Sequence, residues 1–267
     1  MPELPEVETI KRDLSTIILN KHIKNIEVLN LKSFINNSNL LIQGKINNIE
    51  RIGKFIIIHI KPNIKLVIHL RMTGKLIYHK NIEFDRKHVR VIFYFDSNDC
   101  LIFHDVRKFG RIICTDGILT LNNNNDALLI TAEYLKNILH NKKQPIKTLL
   151  LDQSIISGIG NIYAQEILFA AKISPLRIAK SLTEKEILVL HEKINEILPL
   201  AILHNGTSIS DFRRVDDKTG DFQNFLKVYG KSTCPDCKSD LIKIKQGGRT
   251  TRYCEKCTPP VPTASRR

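Results

Sequence analysis

KFIIIHIKPNIKLVIHL, residues 54–70, holds two short runs of isoleucine, valine and leucine parted by Pro62 and Asn63. Side chains branched at Cβ pack best on a pleated surface, and proline and asparagine interrupt regular structure, so the stretch reads as two strands and a turn. The same character continues in VRVIFYF (89–95), CLIFHDV (100–106) and GRIIC (110–114). Together these segments predict a β-rich first domain, a sandwich or flattened barrel. Upstream the period changes. Val7, Ile10, Leu14, Ile17 and Ile18 recur at the spacing of a helix lying on a core, with Pro5 in a first turn that tolerates it.

Downstream, NNNN (122–125) can neither pack nor hold regular structure well, and marks a linker over 121–130. Helical patterning then takes over. TEKEILVLHEKINEILPLAILHNG (183–206) opens on the capping-box pair Thr183 and Glu186 and stops at Gly206. Its apolar face runs through Ile187, Leu190, Ile194, Ile197, Leu198 and Ala201. IYAQEILFAA (162–171) is helical too, and a basic, β-prone tail starts at Phe222. The expected fold is α+β: an N-terminal β-sandwich with a flanking helix over 2–120, a helical domain over 131–222, and a small module over 223–267.

The chain carries 41 Lys+Arg against 27 Asp+Glu, a net +14 that favours a polyanionic partner. Residues 213–267 hold 13 of the basic residues and only 6 acids. The start is acidic and amphipathic, unlike a secretion signal, and no apolar run is long enough to span a bilayer. A cytoplasmic protein is expected, in which six cysteines would stay reduced.

Four of those cysteines have a telling spacing. Cys234 and Cys237, then Cys254 and Cys257, form two C-x2-C turns separated by sixteen residues. Each turn aims two thiolates at one point, and the pair completes a tetrahedral zinc site. Gly247 and Gly248 favour a hairpin between them, with Arg249 and Arg252 on its far strand. Cys100 and Cys114 fall in strand patterns and read as packing residues. In SGIGNIYAQEILFAA (157–171), Gly158 and Gly160 allow a tight turn and Asn161 is placed to cap a helix, an arrangement open either to phosphate binding or to plain helical packing. At the amino terminus, MPELPEVET offers Pro2 as a small residue from which Met1 is readily removed. The exposed secondary amine beside Glu3 is then either a helix entrance or a nucleophile beside an acid.

PELPEVET, GIGNIYAQEILF and the paired C-x2-C turns together resemble the formamidopyrimidine-DNA glycosylases, bacterial base-excision enzymes for oxidised purines. GKF (53–55), HLRMTG (69–74), HDVRKFG (104–110), IKTLLLDQ (146–153), DFQNFLKVYG (221–230) and GRTTRYC (248–254) extend the resemblance nearly end to end. It implies a β-sandwich joined to a helix–two-turn–helix domain with a β-hairpin zinc finger holding one structural zinc ion, acting as a monomer on damaged double-stranded DNA at the bacterial nucleoid. It also implies a bifunctional glycosylase and abasic-site lyase. Pro2 matches the family nucleophile and Glu3 its acid; Lys54 and Arg249 match the residues that serve the strand-cleaving eliminations. Met72, Arg107 and Phe109 match the side chains that fill the gap left by the extruded base. Arg86, Arg107, Lys142, Lys147, Asn161 and Tyr229 match DNA-contacting or site-supporting positions. Glu6 stands near the reacting sugar in the family pattern, and His69 reads equally as a strand histidine or a site residue.

The chain also departs from the pattern. Arg71 and, in the lesion-recognition loop SDFRRVDDKTGDF (210–222), Asp217 stand where the family commonly has glycine. Arg86 replaces one of two usual histidines near His88, and the ending CTPPVPTASRR reads as disordered. Two rival readings stay open: an endonuclease VIII-like glycosylase for oxidised pyrimidines, and a zinc DNA-binding protein without catalysis. Leu4 and VRKFG favour the purine branch; Pro2, Glu3, Lys54 and Arg249 together favour catalysis.

Overall fold

The computed structural model describes residues 1–36, 39–117, 121, 123–209 and 212–259. Asn122 of the expected linker, Ser210 and Asp211 of the loop, and most of the tail expected to be disordered (260–267) lie outside the described residues. Contacts divide the chain into two compact units: Met1–Leu121 with Ile202–Gln223, and Asn122–Ala201 with Asn224–Arg267.

The first unit begins with helix α1 (Leu4–Ile17), whose Val7, Ile10 and Leu14, with Ile18 just beyond, are buried at the predicted period. Burying each such side chain contributes about 1.5–3 kcal/mol. The predicted runs form strands β4 (Phe55–Ile60), β5 (Ile64–His69), β7 (Val89–Phe95), β8 (Cys100–Asp105) and β9 (Arg111–Thr115). Four more accompany them: β1 (His22–Val28), β2 (Phe34–Asn36), β3 (Gly44–Ile52) and β6 (Gly74–His79). Among the described residues these nine run in the order β2-β9-β5-β4-β3-β1-β7-β8-β6. The join is thin, since β1 pairs with β3 over only two residues and with β7 over five. Ile46, Ile56, Ile58, Leu66 and Ile68 on one side of it and Leu76, Val91, Phe93, Leu101 and Phe103 on the other share one core with α1. The two halves of the sheet are thus the two layers of the expected sandwich. Cys100 and Cys114 are buried, and burial pushes each thiol up to about 11.

Residues 202–223 pack with this unit rather than with the helices that precede them. Phe212 and Val215 sit in the sandwich core, and the Tyr78 N–H donates to the Val215 carbonyl at 3.0 Å, extending the sheet at its β6 edge.

The second unit holds helices α2 (Ala132–Leu139), α3 (Ile146–Leu150) and α4 (Asn161–Ala170), with most of α5 (Glu184–Leu203). The Thr183–Glu186 capping box is formed, with the Thr183 N–H on Glu186 Oε2 at 2.8 Å. Strands β10 (Ile242–Gln246) and β11 (Arg249–Tyr253) make a hairpin in which Gln246 faces Arg249. Gly247 and Gly248, at φ +56° and +72°, form its two-residue turn, a conformation that residues with a Cβ resist. No helix of the described residues is long and apolar enough to cross a membrane.

Candidate functional site

Pro2 and Glu3 are buried at the entrance of α1. Glu3 is its N-cap, and a reciprocal box joins it to Glu6: the Glu3 N–H donates to Glu6 Oε2 at 2.7 Å, and the Glu6 N–H donates to the Glu3 side chain. The second oxygen of Glu6 accepts the Thr207 N–H, also at 2.7 Å. Gly206 lies so close that a Cβ there would stand 2.9 Å from Glu6 Oε1. A carboxylate buried to this depth needs such donors, and both come from backbone.

Lys54 stands at the tip of the β3–β4 hairpin, 5% exposed, after Gly53 at φ +56°. That tip is tied to α1: Arg51 donates to the Gly53 carbonyl at 3.0 Å and to Glu8 Oε2 at 2.9 Å. His69 crosses from β5, edge-on to Phe55 with ring centroids 4.8 Å apart. The Arg71 N–H donates to His69 Nδ1 at 3.0 Å, which places the ring proton on Nε2 and keeps the ring neutral. Burial, aided by the charges of Arg71 and Lys54, pushes the His69 pKa down to about 4.

A second group lies on exposed turns of the same unit. Arg107 donates to Met72 Sδ at 3.2 Å and stacks over Phe109 at 4.8 Å, so the three predicted gap-filling residues are neighbours. Phe109 is 48% exposed, with the Arg107 guanidinium over its ring. Sequence reasoning missed the residue that shapes these turns. Asp105 is fully buried and accepts the Arg107 N–H at 3.1 Å, the Gly110 N–H at 2.8 Å and the Thr73 hydroxyl, linking MTG to VRKFG. Arg86 is engaged elsewhere. Its guanidinium forks onto Glu27 at 2.6 and 3.1 Å and donates to the Tyr94 hydroxyl.

In the second unit, Lys147 is wholly buried and donates to Asn161 Oδ1 at 2.7 Å and to Thr251 Oγ1 at 2.8 Å. Asn161 is not the cap expected of it. Gly160 occupies that position, and Asn161 is the first helical residue, its amide donating to the Thr250 carbonyl at 3.1 Å. Gln165 completes the clamp by accepting the Arg252 N–H at 2.6 Å, so α4 grips the hairpin that carries Arg249 at its exposed tip. Arg252 is itself spent on the Lys231 carbonyl. Glu166, also missed, is buried and accepts the N–H groups of Lys227, Val228 and Tyr229 at 2.7, 3.0 and 2.7 Å, fixing Tyr229. Burial raises its pKa against the pull of those three donors. Nothing in the sequence marks Asp105 or Glu166 as buried hubs beyond their place inside motifs. Lys142 is exposed just after α2.

The four tail cysteines converge, with all their Sγ atoms within 4.8 Å of one another. Cys234 and Cys257 are 3.7 Å apart, and Cys237 and Cys254 3.4 Å. Four thiolates at about 2.3 Å from one tetrahedral metal ion would stand about 3.8 Å apart, so the cluster fits such an ion.

Residues 1–112 match the formamidopyrimidine-DNA glycosylase N-terminal domain, and residues 123–213 match the H2TH domain of the same enzymes. The chain belongs to the formamidopyrimidine-DNA glycosylase family. A family member from a Wolbachia of Brugia malayi is 42% identical over 269 residues, covering 96% of this chain and 99% of that one. A mutant of Lactococcus lactis FPG, solved with DNA containing Fapy-dG, superposes with a TM-score of 0.89 at 34% identity, over 97% of this chain and all of that one. The wild-type Lactococcus lactis enzyme, solved with DNA containing an oxidised pyrimidine, gives 0.88 at 33%, with the same coverage of both chains. The cysteine hairpin lies beyond both matched domains and within the span of the full-length relatives.

Proposed function

We propose that the protein excises oxidised purines, 8-oxoguanine and formamidopyrimidines, from duplex DNA and then cuts the strand through a Schiff base on Pro2. Family membership supports the substrate class. The observation that carries the chemistry is the amino terminus itself: Pro2 and Glu3 are buried, and the Glu3 backbone is fastened to the Glu6 carboxylate at 2.7 Å. A reacting group held in one place loses little freedom on the way to the transition state.

Once Met1 is removed, Pro2 presents a secondary amine. Terminal amines titrate at roughly 7.7–8.0, so a useful share is neutral and nucleophilic near pH 7, unlike a lysine. The nitrogen attacks C1′ of the damaged nucleotide, and the base departs with the bonding pair. Glu3 supplies a proton to the sugar ring oxygen, the nitrogen gives up its own proton, and the C1′–O4′ bond breaks with its electron pair on the oxygen, opening the ring. The resulting iminium acidifies the sugar hydrogens, and β- then δ-elimination expel the flanking phosphates. Lys54 serves the phosphate side of this cleavage and Arg249 the second elimination.

The base must first leave the stack, at a cost of a few kcal/mol. Met72 and Phe109 offset part of it by filling the gap, while Arg107 donates to the orphaned cytosine. Lys142, Lys147, Asn161 and Tyr229 contact or support the phosphate backbone, contacts that position the duplex without reading sequence. Arg86 joins them only by exchanging Glu27 for a phosphate. Cys234, Cys237, Cys254 and Cys257 hold one zinc ion, whose work is structural: it supplies the fold of a finger too small to have a core of its own. The enzyme works as a monomer in the bacterial cytoplasm, at the nucleoid.

The test is the product of a duplex carrying 8-oxoguanine opposite cytosine. The reading expects a one-nucleotide gap with phosphate on both ends, formed without added alkali. An unbroken strand, or faster release of an oxidised pyrimidine than of 8-oxoguanine, contradicts it.

A further inference from the structure

Helix α1 grips the segment after α5 through two carboxylates two turns apart. Glu6 takes the Thr207 N–H, and Asp13 takes Arg214. The second grip is a two-point fork: Arg214 Nε reaches Asp13 Oδ2 at 3.0 Å and Nη2 reaches Oδ1 at 2.7 Å. The two side chains are 25% and 14% exposed, so water screens the pair only partly. A fork of this kind fixes orientation as well as distance, which a lysine in place of the arginine would not do.

The neighbours of Arg214 turn that grip into a docking point. Val215 is fully buried in the sandwich core, and its carbonyl pairs with Tyr78 on β6. A tight turn, with Arg214 N–H on the Lys218 carbonyl at 2.9 Å and Asp217 N–H on the Arg214 carbonyl at 3.0 Å, carries the chain back. At the far end Gly220 is pressed so closely that a Cβ would stand 2.2 Å from the Asn205 carbonyl oxygen. Residues 212–220 are therefore fastened to the sheet edge and to the helix that Pro2 and Glu3 lead into.

We propose that Arg214 is a positioning residue for base recognition. Its fork on Asp13 holds the 212–218 segment at a fixed offset from the amino terminus, so that steps which must recognise a base depend on the pair, while cleavage of a site already lacking its base does not. The inference rests on the glycosylase and lyase reading above, and on the resemblance that places these residues in the lesion-recognition loop.

The experiment compares single-turnover rates of the full chain on two duplexes, one with 8-oxoguanine opposite cytosine and one with a preformed abasic site. Arg214→Ala and Asp13→Ala each lower the ratio of base excision to abasic cleavage by about tenfold, a loss confined to one step of the reaction. Arg214→Lys, which keeps the charge without the fork, loses less, and the exchanged pair Asp13→Arg with Arg214→Asp regains most of the ratio. Because each ratio is taken within one preparation, a lower folded fraction does not move it. A ratio within twofold of the wild type in all variants overturns the proposal. So does a loss in Arg214→Ala that neither Asp13→Ala reproduces nor the exchanged pair regains, since Arg214 would then act on DNA directly. A wild type that cuts neither duplex contradicts the glycosylase reading instead.

Discussion

Glu6 and Thr207, 201 positions apart in the chain, meet in a 2.7 Å hydrogen bond at the entrance of α1. The same carboxylate holds the Glu3 N–H at 2.7 Å, so one buried side chain connects the amino terminus to the segment that follows α5. Glu6→Gln keeps the shape but turns one acceptor into a donor, leaving a buried N–H without its partner. The expected loss of stability is about 1–3 kcal/mol, read from urea unfolding midpoints, with slower base excision alongside it. Unchanged stability would mean that the two backbone donors do not depend on this carboxylate.

Two departures from the family pattern share a backbone feature. Arg71 and Asp217, where the resemblance leads one to expect glycine, lie at φ +55° and +61°. The left-handed region costs a residue with a Cβ about 1–2 kcal/mol, less for Asp, while glycine enters it freely and gives back part of the gain as chain entropy. Arg71→Gly should therefore raise stability by about 0.5–1 kcal/mol and Asp217→Gly by less, with chemical denaturation as the check. The reverse order would contradict the strain account. The Arg71 N–H bond to His69 is made by backbone and survives the change.

His69 makes stability depend on pH. Its folded pKa, about 4, lies below the usual 6.5 because burial disfavours the charged ring. Between those values the unfolded chain binds the proton and the folded one does not, so stability is full above about pH 6.5, falls as pH drops toward 4, and is flat with respect to this group below that. The whole effect is at most about 3 kcal/mol, reduced by the ring's partial exposure. In His69→Asn, which keeps an acceptor for the Arg71 N–H, the slope of unfolding free energy between pH 4 and 6.5 should shrink by close to one proton. An unchanged slope would show that the ring is already charged in the folded protein.

Much of this was legible beforehand, and the failures have physical causes. The isoleucine-rich strands β4 and β5, the Thr183–Glu186 box and the two C-x2-C turns announce themselves because their residue types leave few other uses. Strands β1 and β3 did not, since asparagine and lysine interrupt alternation in HIKNIEV and GKINNIERI. The return of residues 202–223 to the first unit rests on Phe212 and Val215 in the core, the Tyr78–Val215 backbone bond, the Arg214–Asp13 fork and the Thr207–Glu6 hydrogen bond, none of which has a periodicity to read. Asn161 looked like a cap because asparagine caps helices so often. Its amide is instead used by Lys147 and Thr250, tertiary partners that local sequence cannot reveal.

The cysteine cluster predicts a metal dependence. Purified protein should carry one zinc per chain, and Cys254→Ala should lose it. Among the described residues the finger stands on a small apolar cluster around Val228, Leu241 and Phe169, so the hairpin should come loose, taking Thr251 from Lys147. Strand cleavage should fall on the order of a hundredfold or more, because a domain folded by its metal is lost with it. Metal analysis alongside cleavage assays checks both points, and full cleavage by a zinc-free protein would refute the assignment.

Borohydride trapping tests whether Pro2 is the nucleophile. The full chain is mixed with a duplex holding 8-oxoguanine opposite cytosine, reduced, digested and mapped by mass spectrometry. A stable DNA adduct is expected on the amino-terminal peptide, attached to Pro2, with Met1 absent. An adduct on a lysine such as Lys54, or none from a protein that begins at Pro2 and still cuts the duplex, would contradict it.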